Sequence, residues 1–140
     1  MRLWHTSLIP QLDGMRLVDQ HRTCCCLRGN GWGKKNILLN FVFEDPNGEE
    51  ALYLYHIKVI AEMNNRGFYH EPLWEHIEYC GKNRPTRKWN TQQLSAAGKI
   101  DNCYQVMDDA YLQADIERLE KRGAKPYVGT EWRGKKNTEA

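Results

Sequence analysis

The sequence predicts a helical protein with three or four helices and little sheet. Apolar residues recur at helical spacing over residues 13–27, 49–66 and 100–122, and a glycine closes each stretch, at Gly29, Gly67 and Gly123. One run, Ile37-Leu38-Leu39-Asn40-Phe41-Val42-Phe43, reads as a short strand, and equally well as an apolar helix start.

In chain order, Leu8, Ile9 and Leu12 precede a helix from about Asp13 to Leu27. Its stripe is marked by Met15, Val18, Arg22, Cys25 and Cys26, and Gly29, Gly31 and Gly33 end it. Asp45-Pro46-Asn47-Gly48 is a turn signal. From Glu49 to Arg66, Leu52, Tyr55, Ile57, Val59, Ile60 and Met63 form a second stripe, stopped by Gly67. Residues 69–90 read as an irregular basic loop, and Thr91 as the cap of a short helix to Ala97. A last helix spans Ile100 to Arg122, with Val106, Ala110, Leu112, Ile116 and Leu119 inward. Asp108 and Asp109 read as a helix-start pair stabilised by the dipole, without catalysis. The tail from Ala124 is rich in Gly and Lys, with Tyr127 and Trp132.

At 140 residues the chain suits one domain, 1–140, able to bury a core. No apolar run approaches the roughly 20 residues that span a bilayer, and no secretory signal core opens the chain. The expected location is therefore cytoplasmic, with no membrane contact. The net charge of +2 says less than its distribution. Residues 1–35, 81–90 and 121–136 hold 16 of the 20 Lys and Arg but only 3 of the 18 Asp and Glu. Such segregation fits one basic face, the footprint of a polyanion binder; the plain alternative is basic loops that solvate the fold.

The five cysteines make no metal framework. Cys24, Cys25 and Cys26 are consecutive, Cys80 and Cys103 stand alone, and no CxxC pair occurs. His21 and Cys25 have i, i+4 spacing and could supply two ligands, but no second pair is evident. Free buried thiols acting as small hydrophobes are expected, with no metal and no cofactor. The run Gly29-Asn30-Gly31-Trp32-Gly33-Lys34-Lys35 lacks the spacing and the trailing Ser/Thr of a phosphate-binding loop. It suits a backbone nest for a DNA phosphate.

Several segments together resemble a known family. Arg2 beside the terminus, Leu8-Ile9 followed by Leu12, and the helix reaching Gln20-His21-Arg22 are similar to the pyrimidine-dimer DNA glycosylases of the phage endonuclease V type. So is Ile60-Ala61-Glu62-Met63-Asn64-Asn65-Arg66-Gly67-Phe68. The resemblance is strongest to a bacterial branch of small proteins that begin Met-Arg-Leu-Trp-His and carry Leu-Arg-Gly-Asn-Gly-Trp-Gly-Lys-Lys, and it covers nearly the first 90 residues. The last helix and the tail match in character only.

The resemblance implies a compact all-α single domain of three to four helices with an N-terminal arm threaded between helices. It implies a monomeric DNA-repair endonuclease on double-stranded DNA, a hydrolase that combines DNA N-glycosylase with abasic-site (AP) lyase activity. The Met1 amine would attack C1′ of a damaged pyrimidine nucleotide and form an imine, and β-elimination would follow. Arg2 is too large for removal of Met1, so that amine is expected to be the terminus, with an ordinary pKa of about 7.7–8.0. Arg2, Arg16 and Arg22 would hold the phosphates of a kinked duplex, extended by Arg28, Lys34 and Lys35. Arg84, Arg87, Lys88 and the tail residues Trp132, Arg133, Lys135 and Lys136 complete the basic set. The family places a glutamate directly after the helix arginine, and here that position is Thr23. A hydroxyl carries no charge for a cationic sugar. Asp19, one turn earlier and roughly 6 Å back along the axis, is the candidate substitute. The alternative is a non-catalytic or altered-specificity DNA-binding protein on the same scaffold; an RNA-processing nuclease is a third reading. If Thr23 is a degraded catalytic position, Thr23→Glu should raise activity.

Overall fold

In a computed structural model the described residues, 2–30 and 33–127, form an all-α domain with no strand among them. Five α-helices follow one another: α1 (Gly14–Asn30), α2 (Phe41–Glu44), α3 (Gly48–Asn65), α4 (Thr91–Gly98) and α5 (Asp109–Lys121). Two short 3₁₀ helices, Thr6–Gln11 and Pro72–Glu75, stand in the connections. The core is built by α1 and α3 packed together, with α2 and α4 against α3. Leu17, Cys24 and Leu27 meet Leu52, Tyr55, Val59 and Met63, all fully buried or nearly so.

The sequence pattern located these elements and misjudged parts of their register. In α1 the inward side is Leu17, Gln20, Thr23, Cys24 and Leu27, whereas Met15, Arg22 and Cys26 face solvent. The expected stripe was thus rotated on the helix. The reason is that polar Gln20 and Thr23 are buried with their hydrogen bonds satisfied, which an apolar count does not register. The helix also runs on through Gly29 to Asn30.

Residues 37–43 form no strand: a turn over 33–40 leads into α2, so the helix-start reading holds. The turn at Asp45 to Gly48 is present, closed by the Gly48 N–H on the Asp45 carbonyl at 3.0 Å. Helix α3 follows its expected stripe, and Gly67, at φ 77°, takes the left-handed conformation that ends it. Asn90, and not Thr91, caps α4 through its side chain on the Gln93 N–H.

The last helix is shorter than expected. Asn102 and Cys103 adopt positive φ (60° and 71°), which breaks residues 100–107 into turns. Asp108 then caps α5, accepting from the Tyr111 N–H at 2.9 Å. Val106 is exposed, and the innermost residue of α5 is Asp115, not an apolar one. Three of the five thiols are buried as small hydrophobes; Cys25 is half-buried and Cys26 is exposed.

Arg66 fastens the first 3₁₀ helix to α3. Its buried guanidinium donates to the Leu12 carbonyl (2.6 Å), the Pro10 carbonyl (3.0 Å) and Glu62 (2.8 Å), and it stacks on the Tyr127 ring at 3.7 Å.

Candidate active site

The N-terminal arm runs between α1, α3 and α5, and every residue from Leu3 to Thr6 is buried. An extended segment has no internal partners for its backbone, so the three helices must supply them. Gln20 of α1 does so twice, accepting from the Trp4 N–H at 3.0 Å and donating to the Arg2 carbonyl at 2.7 Å. The Tyr55 hydroxyl of α3 lies 2.6 Å from the Trp4 carbonyl and 2.7 Å from Gln20 Oε1, one proton serving both. From α5 the Tyr111 hydroxyl donates to the Leu3 carbonyl at 2.5 Å. Burial, and then the Asp115 charge, push the Tyr111 pKa up to about 12, which keeps the hydroxyl protonated as a donor.

Asp115 anchors the head of the arm. Its carboxylate is fully buried and accepts from Arg2 Nη2 (2.5 Å), the His5 N–H (2.7 Å) and, at longer range, Arg118 Nη1 (3.4 Å). The His5 ring is held at both nitrogens: its Nε2 donates to the Met107 carbonyl at 2.9 Å while its Nδ1 accepts from the Ser7 N–H. Met1, directly bonded to Arg2, lies outside the described residues.

The arm leads to an open basin of about 340 Å³ lined by Arg2, Trp4, Arg16, Asp19, Gln20, Leu38, Arg118 and Arg122. Four guanidinium groups thus surround it, against Asp19 as the acid of its wall. The guanidinium of Arg2 also lies 5.1 Å from the centre of the Trp4 ring and 5.6 Å from that of Tyr111. Its Nε is buried with no acceptor among the described residues, while its Nη2 is held by Asp115. Concentrated arginines in a concave, partly shielded place are suited to phosphate oxygens.

The sequence had placed Arg2, Arg16 and Asp19 in the site, and the fold brings these together. It missed Arg118 on α5 and Arg122 at its C-cap, whose i, i+4 spacing puts both on the basin side. The signal was present as two arginines one turn apart, following Asp115, but its meaning required the register of a helix whose start had been misplaced.

Other expected residues lie elsewhere. Arg22 is exposed on the outward side of α1. Thr23 is fully buried, and its hydroxyl donates to the Asp19 carbonyl at 2.9 Å within its own helix. Lys34 and Lys35 are exposed, Lys34 at 5.5 Å from the Phe43 ring, and Arg84 and Lys88 are exposed on the loop before α4. Arg87 is held by Glu50 (2.7 Å) and Glu49 (3.4 Å). Trp132, Arg133, Lys135 and Lys136, with Gly31 and Trp32, lie outside the described residues.

Arg28, expected on the DNA face, is engaged within the fold. Its guanidinium donates to the carbonyls of Trp74 (2.8 Å), His76 (2.8 Å) and Tyr79 (3.1 Å), and to His56 Nδ1 (2.9 Å). It ties the loop after α3 to α1 through both of its Nη groups.

Beside it the fold adds His56 to the His21–Cys25 pair, a third donor that spacing could not reveal. The three ligand atoms lie within 4.8 Å of one another, the arrangement a metal ion would need. Arg28 opposes that use. By donating to His56 Nδ1 it leaves the ring proton on Nε2, which points at His21 Nδ1, 2.9 Å away. Coordination through Nε2 would need the opposite tautomer and would set a cation beside a guanidinium. The same surroundings keep both rings neutral. Burial first, then neighbouring positive groups, lower His21 to about 4 and His56 well below its ordinary value. Burial pushes the Cys25 thiol up to about 12.

A family model described as pyrimidine dimer DNA glycosylase matches residues 1–76. The chain belongs to that family. The match takes in the arm, α1 and α3, with the anchors Gln20 and Tyr55; the α5 anchors and the carbonyls of Asn102 and Met107, which meet Thr6 and His5, lie beyond it. Arg118, Arg122 and Asp115 lie beyond it. No curated protein and no solved structure matches the chain. Membership makes this a DNA-repair glycosylase family whose substrate is DNA, and no helix of the described residues is long and apolar enough to cross a membrane.

Proposed function

We propose that the protein is a bifunctional DNA glycosylase and abasic-site lyase that uses the Met1 amine as its nucleophile. The observation that carries this reading is the anchored arm: Arg2 to His5 are fixed by Gln20, Tyr55, Tyr111 and Asp115 at the edge of an arginine basin. A nucleophile tethered to such a segment approaches the sugar with little orientational freedom left to lose.

In this mechanism the neutral amine attacks C1′, and the damaged base leaves with the electrons of the glycosidic bond and takes up a proton. Opening of the sugar at O4′ gives an iminium between the Met1 nitrogen and C1′. Loss of a C2′ proton then expels the 3′ phosphate, and water regenerates the amine. Arg2, Arg16, Arg118 and Arg122 hold the flanking phosphates, with Arg22, Lys34 and Lys35 as outer contacts. Asp19, exposed in the basin wall, is the carboxylate that supports the cationic intermediate in place of the family's glutamate. The protein acts as a monomer on double-stranded DNA.

Borohydride trapping on a duplex with an abasic site tests the proposal. An adduct that maps to Met1 and disappears on N-terminal acetylation is expected. Absence of any adduct, with salt-sensitive DNA binding intact, would sink the enzyme reading and leave the second one, a DNA-binding protein without catalysis. Thr23 favours that second reading, because its hydroxyl is uncharged, buried and bonded inside α1. Incision that survives acetylation would point to a different nuclease chemistry.

A further inference from the structure

The turn between α1 and α2 carries two large apolar side chains in solvent. Ile37 is 84% exposed and Leu38 45%, and Leu38 also lines the arginine basin. Isolated exposed hydrophobics are ordinary. These two differ because the turn beneath them is built to hold them out. Asn36 organises it: its N–H reaches the Gly33 carbonyl (3.0 Å), and its side chain accepts from the Leu38 N–H (2.9 Å). Its carbonyl accepts from the N–H groups of Leu39 (2.9 Å) and Asn40 (2.8 Å). Leu39, next along, is completely buried and pins the turn to the core.

Gly33 makes the entry possible. Its φ is 97°, and a Cβ there would sit 2.8 Å from Leu27 Cδ2. The chain therefore turns tightly over α1, with Leu39 inside and Ile37 and Leu38 outside. The exposed side chains stand on a pre-organised base and need no further ordering to be used.

Their surroundings decide what they could enter. Lys34 and Lys35 are exposed on the same turn, and Arg2, Arg16, Arg118 and Arg122 share the basin with Leu38. An apolar tip amid cations complements a partner that is anionic outside and apolar inside. A DNA duplex has that construction: phosphates flank a stack of bases. Proteins that bend DNA combine basic contacts with inserted Ile, Leu, Met or Phe side chains in this manner. An apolar protein surface offers no match for the cations.

We infer that Ile37 and Leu38 form a wedge that enters the base stack beside the nucleotide received by the basin. This inference rests on the proposed DNA-repair reading, but only on its DNA-binding half. Once between two bases, the wedge would fill the space left by the extruded nucleotide and delay its return, offsetting the loss of stacking.

The test uses the full chain and a short duplex with a stable abasic analogue and 2-aminopurine as the adjoining base. Wild-type protein should raise the 2-aminopurine fluorescence severalfold as that base unstacks. The Ile37→Ser, Leu38→Ser double variant should lose most of the rise while keeping its salt-dependent affinity within roughly threefold, since phosphate contacts remain. Ile37→Met, Leu38→Met should restore it, because bulk and apolarity are what the wedge supplies. A full fluorescence rise from the serine variant would overturn the wedge, as would failure of the methionine variant to restore it. Melting temperature guards against misfolding; exposed positions should leave it unchanged, and a fall in the serine variant would also overturn the assignment. Failure of the wild type to bind the duplex at all is a separate outcome, and it would sink the DNA-repair reading itself.

Discussion

The two flanks of α1 both carry arginine, and they use it in opposite ways. Arg16 and Arg28 lie roughly 120° apart around the helix at about 100° per residue. On the Arg16 flank, the basin groups Arg2, Arg16, Arg118 and Arg122 around an open space, and Arg2 keeps a buried donor without an acceptor among the described residues. On the other flank, Arg28 meets three carbonyls and an imidazole, and its neighbours His21 and His56 are held neutral. Charge alone does not distinguish the flanks. The difference lies in how many acceptors the fold has already provided: Arg2 has Asp115 and Arg16 has Asp13 at 3.0 Å, Arg122 has no acid among the described residues, and Arg28 has four acceptors.

Removing the structural cation should have the largest effect. Arg28→Met strips four acceptors of a donor, and leaving such groups unsatisfied costs about 1–3 kcal/mol each when water cannot reach them. With partial access to water, a net loss near 3 kcal/mol is expected in chemical denaturation. The folded variant should bind DNA with unchanged affinity and salt dependence. A variant of normal stability that loses DNA binding would reverse the assignment of the two flanks.

Acid should attack the same flank. His21 in the folded protein titrates near 4, below its unfolded value of about 6.5, so the unfolded chain binds the extra proton. Stability is therefore complete above pH 6.5 and falls as the pH drops toward 4, by up to ~3 kcal/mol for this group. His56 acts in the same direction. Denaturation midpoints across that window should show the decline, and His21→Gln should flatten it. An unchanged slope in His21→Gln would show that other groups carry the acid response.

On the open flank the expected loss is in binding. Arg118→Ala with Arg122→Ala should lower the salt slope of duplex binding by about 2 and weaken affinity by roughly 2 kcal/mol. Arg122 has no acid against it among the described residues, and Arg118 meets Asp115 only at 3.4 Å, so the melting point should barely move. A large stability loss with an unchanged salt slope would mean that these arginines, like Arg28, serve the fold.

How much of this the sequence disclosed differs between the flanks for a physical reason. Helices, turns and glycine stops are written in local periodicity, so α1, α3 and the break at Gly67 were legible. Arg2, Arg16 and Asp19 could be placed because family-like motifs surround them. Asp115, Gln20 and His56 could not, since each acts across more than a dozen residues of chain on a partner that only packing reveals. Buried polar residues also misled the helix registers: Gln20 and Thr23 rotated the stripe of α1, and Asp115 took the inward place that α5 was expected to give an apolar residue.

Thr23 provides the smallest expected effect and separates position from chemistry. By the resemblance it stands where the family carries a glutamate, yet its hydroxyl bonds the Asp19 carbonyl and is shut off from solvent. That carbonyl is also the i−4 acceptor within α1, so removing the hydroxyl leaves it with a helical partner. Thr23→Val keeps the shape and should change stability by less than about 1 kcal/mol. Borohydride trapping should proceed at the wild-type rate, because the hydroxyl is bonded inside α1 and carries no charge. A strong loss of trapping at unchanged stability would mean that the hydroxyl turns toward the basin during catalysis. Thr23→Glu is then the sharper companion. A carboxylate at a fully buried position is tolerated only if it reaches the arginines of the basin, so faster trapping in a stable Thr23→Glu variant would place this position at the edge of the site. A destabilised variant with no gain would leave Asp19 as the acid of the basin.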